Sequence, residues 1–474
     1  MPLQRPFDPV VTFVNSQGEA ARGTLTSLQR KAAVLEIYSP NACLQVSEVL
    51  SDFTVRAAER TLYQGKAIVV GLLSTGLMTV ASLALIGEWN DLEFAQGDPA
   101  QIGKETERFI ADWENRFRIR PNYQAIVNEF RAFLTEAARW VDQLDLNSAL
   151  PRGPNGRLTD GVFWAIAGPL MAKTQAYLAK LEAEAQQIPA EDDVLHRAYA
   201  QSVLHPLILS APFVYRTFAK PLGYAGDYEM VNQLLSDPRQ GSSTYLELVN
   251  SVFLQSAVAQ AHRNRIDILV AYLGRAIALA ASEHRRVKVL NVGCGPAAEI
   301  QRLISSELCL DHIEFTLLDF SQETLEYTRN KLQEAAAAQH KTLHVRYVQA
   351  SVHELIKHSA ATPAIAADDF DFIYCAGLFD YLSDKVCARL IRYFVSKAHP
   401  GTQLLLTNVH SRNPARFGME HLLEWHLIYR NEAQMAGVMA QVDGDLKLYT
   451  DETGVNVFAE TTLRSTSTQE GHRA

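Results

Sequence analysis

The architecture of this chain turns on Val287-Lys-Val-Leu-Asn-Val-Gly-Cys-Gly-Pro-Ala297. Val287–Leu290 has the apolar, β-branched character of a strand, and the chain then runs through Gly293-Cys-Gly295 towards a helix expected to open at Ala298-Glu299. Glycines without a Cβ let a backbone turn tightly and approach a ligand, and a helix N-terminus presents unpaired N–H groups. The same outline also occurs as plain structural punctuation and in nicotinamide and flavin enzymes, so the neighbouring segments must discriminate.

Working outward, strand-like runs recur at Glu314–Leu318, Leu343–Tyr347, Phe370–Tyr374 and Gln403–Thr407, with helical candidates at Ser321–Ala337 and Asp384–Ala398. Such alternation predicts an α/β sheet wound on both faces, whose ligands sit beyond the carboxyl ends of the strands. Asp319 follows the second strand, where a carboxylate can accept hydrogen bonds from both hydroxyls of a ribose, and Ser321 reads as the N-cap of the next helix. The bland role for Asp319 is to cap that helix itself. His399-Pro-Gly401 reads as the turn before the fifth strand.

The run Leu318-Asp-Phe-Ser321, with Leu325 nearby, is similar to the pattern of class I S-adenosylmethionine-dependent methyltransferases. That resemblance implies a Rossmann-like domain with S-adenosyl-L-methionine as cofactor, gripped by Gly293, Cys294, Gly295, Asp319 and Phe320. It places Ser351 where the family often has an acidic contact to the adenine amino group, a departure that leaves one hydroxyl as acceptor, with Val352 against the adenine face. It also brings Cys375, Ala376 and Gly377 towards the methyl-bearing end.

Composition bounds the remainder. A chain of 474 residues suggests roughly two to four domains. A net charge of -9 offers no broad positive field for a phosphate backbone, so nucleic acid is not expected as a partner. The five cysteines form no C-x-x-C pair, so neither a zinc site nor a disulfide framework is indicated, no metal is expected, and a reducing cytoplasm fits best. Met1–Val10 lacks the apolar core of a secretory signal. Ala67–Gly87 carries no charge over the length of a membrane helix, but Ser74-Thr-Gly76 interrupts it, and two buried strands joined by a turn are expected rather than a stable span.

Residues 1–96 read as a small β-barrel or sandwich: Val10–Val14 is strand-like, Asn15–Gly18 a turn, and Ala33–Tyr38 a strand stopped by Ser39-Pro40. Arg22-Gly-Thr-Leu25 and Tyr63-Gln-Gly-Lys66 resemble a PilZ-like barrel. Arg56 and Arg60 have that family's arginine spacing, but its D/N-x-S-x-x-G element is absent, which argues against cyclic di-GMP binding. Residues 97–200, after Gln96-Gly-Asp-Pro99, become helical, with Ile126, Phe130, Phe133, Ala137, Trp140 and Leu144 at amphipathic spacing; they read as a linker, cap or homodimerisation layer. Residues 201–474 would then form the Rossmann-like domain.

Arg216–Glu229 interleaves aromatics, glycines and charges, as functional loops do; Tyr224 and Asp227 are candidates to close over the cofactor's methionyl end. Arg263 and Arg265 are either an anion site or a solvated pair on a helix. After Asn408-Val-His-Ser-Arg412, a helix is expected over Met419–Arg430, offering His421, Trp425, His426 and Tyr429 towards an acceptor.

Lys220–Asp227, Gly293–Gly295, Glu424–Arg430 and Asp451–Asn456 together resemble the extracellular-factor 3-hydroxypalmitic acid methyl ester biosynthesis proteins, over roughly residues 200–474. The resemblance implies esterification of a 3-hydroxy fatty acid to a quorum-sensing methyl ester, with Tyr381, His410, His426 and Tyr429 as candidates for holding its carboxylate or 3-hydroxyl. A carboxylate is already ionised near neutral pH and needs no strong base. The rivals are a methyltransferase for an amine or hydroxyl with His410 or His426 as base, a same-fold enzyme cyclising the methionyl chain, and a regulatory scaffold with a degenerate cofactor domain.

Overall fold

The computed structural model describes residues 10–38, 44–57, 60–74, 78–87, 89, 99–116, 118–356 and 369–464. Cys43, the Ser39-Pro40 stop, the Thr75-Gly76 break, Gln96–Asp98 and most of the Met1–Val10 stretch lie outside them. The chain divides into two compact units: Met1–Ala225, Asp237–Leu254 and Ala415–Trp425 make the first, and Gly226–Ser236, Gln255–Pro414 and His426–Ala474 the second.

In the first unit, β1 (Val10–Val14), β2 (Ala20–Gln29), β3 (Ala32–Ile37), β4 (Val49–Ala57), β5 (Arg60–Ser74) and β6 (Thr79–Ile86) close an antiparallel barrel in the order β1-β2-β3-β6-β5-β4. Alternation puts Val11, Phe13, Leu35, Phe53, Tyr63 and Val69 inside. The uncharged Ala67–Gly87 stretch becomes the β5–β6 hairpin, paired from Ser74↔Thr79 to Lys66↔Ile86. Among the described residues no helix is long and apolar enough to cross a membrane.

The helices of this unit include Pro121–Asp145, Asp160–Ala185, Asp193–Ile208 and Arg416–Leu423. In the first of them the buried stripe is Tyr123, Val127, Phe130, Leu134, Ala137 and Val141. It is rotated from the expected one: Trp140 is exposed, while Phe133 is half-buried and packs with Phe130 on Tyr177. The helix expected over Met419–Arg430 stops at Leu423. Glu424 adopts φ +52°, and the Trp425 N–H closes back on the Met419 carbonyl, a Schellman-type stop. Arg197 (3.2 Å) and Gln201 (2.7 Å) hold the Glu424 carboxylate, and Lys220 donates to its carbonyl, so tertiary partners override local propensity.

The second unit is built on β7 (Val287–Val292), β8 (Ile313–Asp319), β9 (His344–Gln349), β10 (Phe370–Cys375), β11 (Ala398–Val409), β12 (Lys447–Thr450) and β13 (Asn456–Thr462), ordered β12-β13-β11-β10-β7-β8-β9. β9, β8, β7, β10 and β11 are parallel, and β13 and β12 add an antiparallel edge. Each face carries its own core, one including Val289, Phe315 and Tyr374, the other Leu290, Ile373 and Leu406. His399-Pro-Gly401 lies inside β11 rather than before it, Gly401 (φ +95°) marking an irregularity. The strand order reverses between β7 and β10, the switch point at which such sheets leave a crevice.

Candidate active site

At the carboxyl end of β7 the Gly293 and Cys294 N–H groups both donate to the Leu318 carbonyl, at 2.8 and 3.1 Å. Gly293 (φ +73°) and Gly295 (φ +50°) occupy the left-handed region that glycine tolerates, and Ala297 holds φ +50° as it enters the helix Ala298–Ile304. A Cβ on Gly295 would meet nothing within 4 Å, so the space over the turn is open. Thr328 Oγ1 donates to the Gly295 carbonyl at 2.6 Å and pins the turn from behind. The Cys294 and Cys375 thiols are buried in the two cores, which pushes both well above the usual thiol range. At both strand ends what is offered is backbone.

Asp319 ends β8, almost fully buried. Its Oδ2 accepts the Gly295 N–H at 3.2 Å and its Oδ1 the Ser321 N–H at 3.0 Å. Burial raises its pKa, and the surrounding N–H donors oppose that shift. The helix Gln322–Ala338 is capped by Ser321, whose Oγ accepts the Thr324 N–H at 3.1 Å, so capping does not consume Asp319. A carboxylate oxygen that accepts one N–H keeps a lone pair for another donor. Phe320 beside it is exposed.

Ser351 turns on itself: its N–H and Oγ both donate to Glu354 Oε2, at 2.7 and 2.8 Å. Glu354 thus brings an exposed carboxylate to the end of β9, where the sequence showed only serine, and the Ser351 bonds lower its pKa. Val352 is half-buried against the second core. A further buried triangle escaped the sequence: Asn291 Nδ2 donates to Glu299 Oε1 (3.2 Å) and Tyr374 Oη (3.0 Å), and the Tyr374 hydroxyl donates to the same Oε1 (2.7 Å). Burial raises Glu299 despite those bonds.

After β10, half-buried Ala376 leads to Gly377, whose N–H donates to Thr407 Oγ1 at 3.1 Å. Gly377 has φ +92°, and a Cβ there would stand 3.0 Å from Arg265 Nη1. The turn Phe379–Tyr381 follows. Buried Asp380 accepts the Val409 N–H at 2.5 Å, and desolvation pushes its carboxyl up to about 6. Arg430, 1 % exposed, spans this turn, donating to the Phe379 and Leu382 carbonyls, Asn408 Oδ1 and Asp384 Oδ1. The Tyr381 hydroxyl lies 2.6 Å from where a Cβ on Gly226 would be.

The acceptor candidates separate. His426 (exposed) and Tyr429 (half-buried) sit on a non-helical segment, tied by Ile428 N–H to the Asp380 carbonyl (2.7 Å) and by Arg430 N–H to the Val409 carbonyl (3.1 Å), beside the turn that carries Tyr381. The one-face arrangement expected of a continuous helix therefore does not form. His421 and Trp425 fall in the first unit; His421 is fully buried between Tyr123 Oη (2.7 Å) and Asp193 Oδ1 (2.9 Å), a structural role. His410 is buried with Nδ1 accepting the Arg412 N–H (2.8 Å) and Nε2 on Glu432 (2.9 Å), so the base role expected of it finds both nitrogens engaged. Tyr224 belongs to the first unit. Asp227, in the second, caps the helix Tyr228–Leu235, its Oδ1 accepting the Met230 N–H at 2.8 Å.

Residues 289–401 match the family model described as a methyltransferase domain. Solved structures with some likeness include a possible exported protein from Bordetella parapertussis (17% identity, 66% of this chain and 100% of that one, TM-score 0.41). Others are the magnesium protoporphyrin IX methyltransferase of Synechocystis PCC 6803 with bound SAH (14%, 53% and 98%, 0.37) and the N-methyltransferase NodS of Bradyrhizobium japonicum WM9 (14%, 44% and 98%, 0.29). No curated protein is significantly similar in sequence. Fold, glycine turn and domain match define a class I methyltransferase domain. Residues 289–401 of the chain are therefore read as a methyltransferase domain.

Proposed function

We propose that the enzyme methylates the carboxylate of a 3-hydroxy fatty acid, giving a methyl ester that serves as a quorum-sensing signal. The observation that carries this choice of acceptor is His410: with Nδ1 and Nε2 both committed, one of the two histidines expected to act as base is occupied, and an acceptor that is already ionised asks least of the site. The motifs at Lys220–Asp227, Glu424–Arg430 and Asp451–Asn456 support the same reading through their resemblance to the 3-hydroxypalmitic acid methyl ester proteins.

The residues present fit the donor: an open left-handed glycine turn admits close backbone approach, and Asp319 retains acceptor capacity for ribose hydroxyls. Gly293, Cys294 and Gly295 would hold it through backbone, Phe320, Ser351 and Val352 would flank the base, and Cys375, Ala376 and Gly377 the methionyl end. When bound, S-adenosylmethionine supplies a sulfonium-activated methyl group open to in-line attack. Tyr381, His426 and Tyr429 orient the acceptor's carboxylate or 3-hydroxyl, and Asp227, in the same unit, belongs to the covering loop. Alignment and removal of water from the nucleophile then account for the rate.

The division into a PilZ-like barrel (1–96), a helical region (97–200) and a catalytic region (201–474), of which 201–225, 237–254 and 415–425 pack within the first unit, a homodimeric state and a cytoplasmic location complete the proposal. Its test uses the full chain, methyl-labelled S-adenosylmethionine and a 3-hydroxy fatty acid. A methyl ester releases its label as volatile methanol in alkali, whereas a methyl amine or ether keeps it. Label that stays in the lipid after alkali, or release of methylthioadenosine in place of S-adenosylhomocysteine, rejects the proposal.

A further inference from the structure

We propose that Arg265 is the seat for the carboxylate at the methionyl end of the donor, and that Gly377 lacks a side chain so that the guanidinium can lie against the end of β10. Arg265 projects from the helix Ala257–Glu283 and is 9 % exposed. Among the described residues its guanidinium makes no hydrogen bond. Neighbouring Arg263 differs, donating to the Leu234 carbonyl (3.1 Å) and to Gln260. A buried guanidinium with unused donors is costly, and the cost is removed when an anion completes it.

Several features place that anion. A Cβ on Gly377 would stand 3.0, 3.3 and 3.4 Å from Arg265 Nη1, Nη2 and Cζ, so the planar fork rests on bare backbone. The next residue, Leu378, is what a Cβ on Gly293 would touch, at 3.4 Å. The end of β10 therefore adjoins the guanidinium and the glycine turn together. Burial lowers the Arg265 pKa, and the Asp380 carboxylate, ahead of Tyr381 and Glu299, sustains its charge. His262, one turn earlier, is pushed down to about 3 and adds no second cation near neutral pH. A fork-shaped donor suits a carboxylate.

The inference rests on the methyl donor and is independent of the acceptor. The full chain is titrated calorimetrically with S-adenosylhomocysteine, with its decarboxylated analogue and with methylthioadenosine. The wild type is expected to prefer S-adenosylhomocysteine over the decarboxylated analogue by about 10- to 100-fold. Arg265→Gln abolishes that preference and leaves methylthioadenosine binding unchanged. Gly377→Ala, which pushes a methyl group into the guanidinium, reduces the preference as well. Equal wild-type affinity for the two homocysteine analogues overturns the proposal, as does a preference that survives in Arg265→Gln. Should the wild type bind none of the three, the donor assignment beneath the proposal falls with it.

Discussion

Asp319 joins three backbone segments at one carboxylate: it ends β8, takes the Gly295 N–H and takes the Ser321 N–H. Removing it loosens the glycine turn and, on the proposed reading, deletes the acceptor for the ribose hydroxyls. Asp319→Ala should weaken S-adenosylhomocysteine binding by about 10- to 100-fold, as loss of hydrogen bonds to a charged group does; unchanged affinity in a titration would count against the ribose role. The glycine turn and Asp319 could be read from sequence because strand, turn and helix lie close along the chain. Arg265 could not be told from Arg263, since helical spacing gives neighbours without saying which face is buried. His421 could not be told from His426 along the expected helix, because its partners Tyr123 and Asp193 lie 298 and 228 residues away.

The short helix Arg416–Leu423 is specified at both ends by residues far away in sequence. At its start, Glu182 Oε2 accepts the Phe417 and Gly418 N–H groups at 2.9 and 3.0 Å, and burial pushes this carboxyl from 4.5 to about 7. The folded state therefore retains a proton that the unfolded chain releases near pH 4.5. Stability should fall as pH rises from about 4.5 through 7, by up to roughly 3 kcal/mol, and urea titrations of Glu182→Gln should lack that slope. At its end, Glu424→Gln leaves buried Arg197 without its carboxylate and should cost about 3 kcal/mol in the same assay; a change below 1 kcal/mol would show that local sequence, not this ion pair, stops the helix. The five parallel strands were legible from their alternation with helices. The β12–β13 hairpin was not: β12 has only four residues, and Asp451–Asn456 read as a motif instead of the turn that it forms. The extended helix prediction failed for the complementary reason, that 419–430 has adequate helical periodicity but Glu424 is claimed by Arg197 and Gln201.

At the scale of the whole chain, a barrel, a set of helices and a switch-point sheet are assembled from segments that interleave along the sequence, since 226–236 belongs with the sheet and 415–425 with the helices. Interleaving of this kind leaves no composition shift to mark it. The acceptor assignment predicts a rate that persists below the ordinary histidine pKa of about 6.5, because a carboxylate nucleophile stays ionised there; a steep loss of initial rate below that pH would favour an amine or hydroxyl acceptor. That the crevice at the carboxyl ends of β7, β8 and β10 binds an adenosyl amino acid is the central prediction. Its most direct test is calorimetric titration of the full chain with S-adenosylhomocysteine and, separately, with NADH. One S-adenosylhomocysteine per chain and no heat from NADH is the predicted result; NADH binding, or silence with S-adenosylhomocysteine, would contradict it.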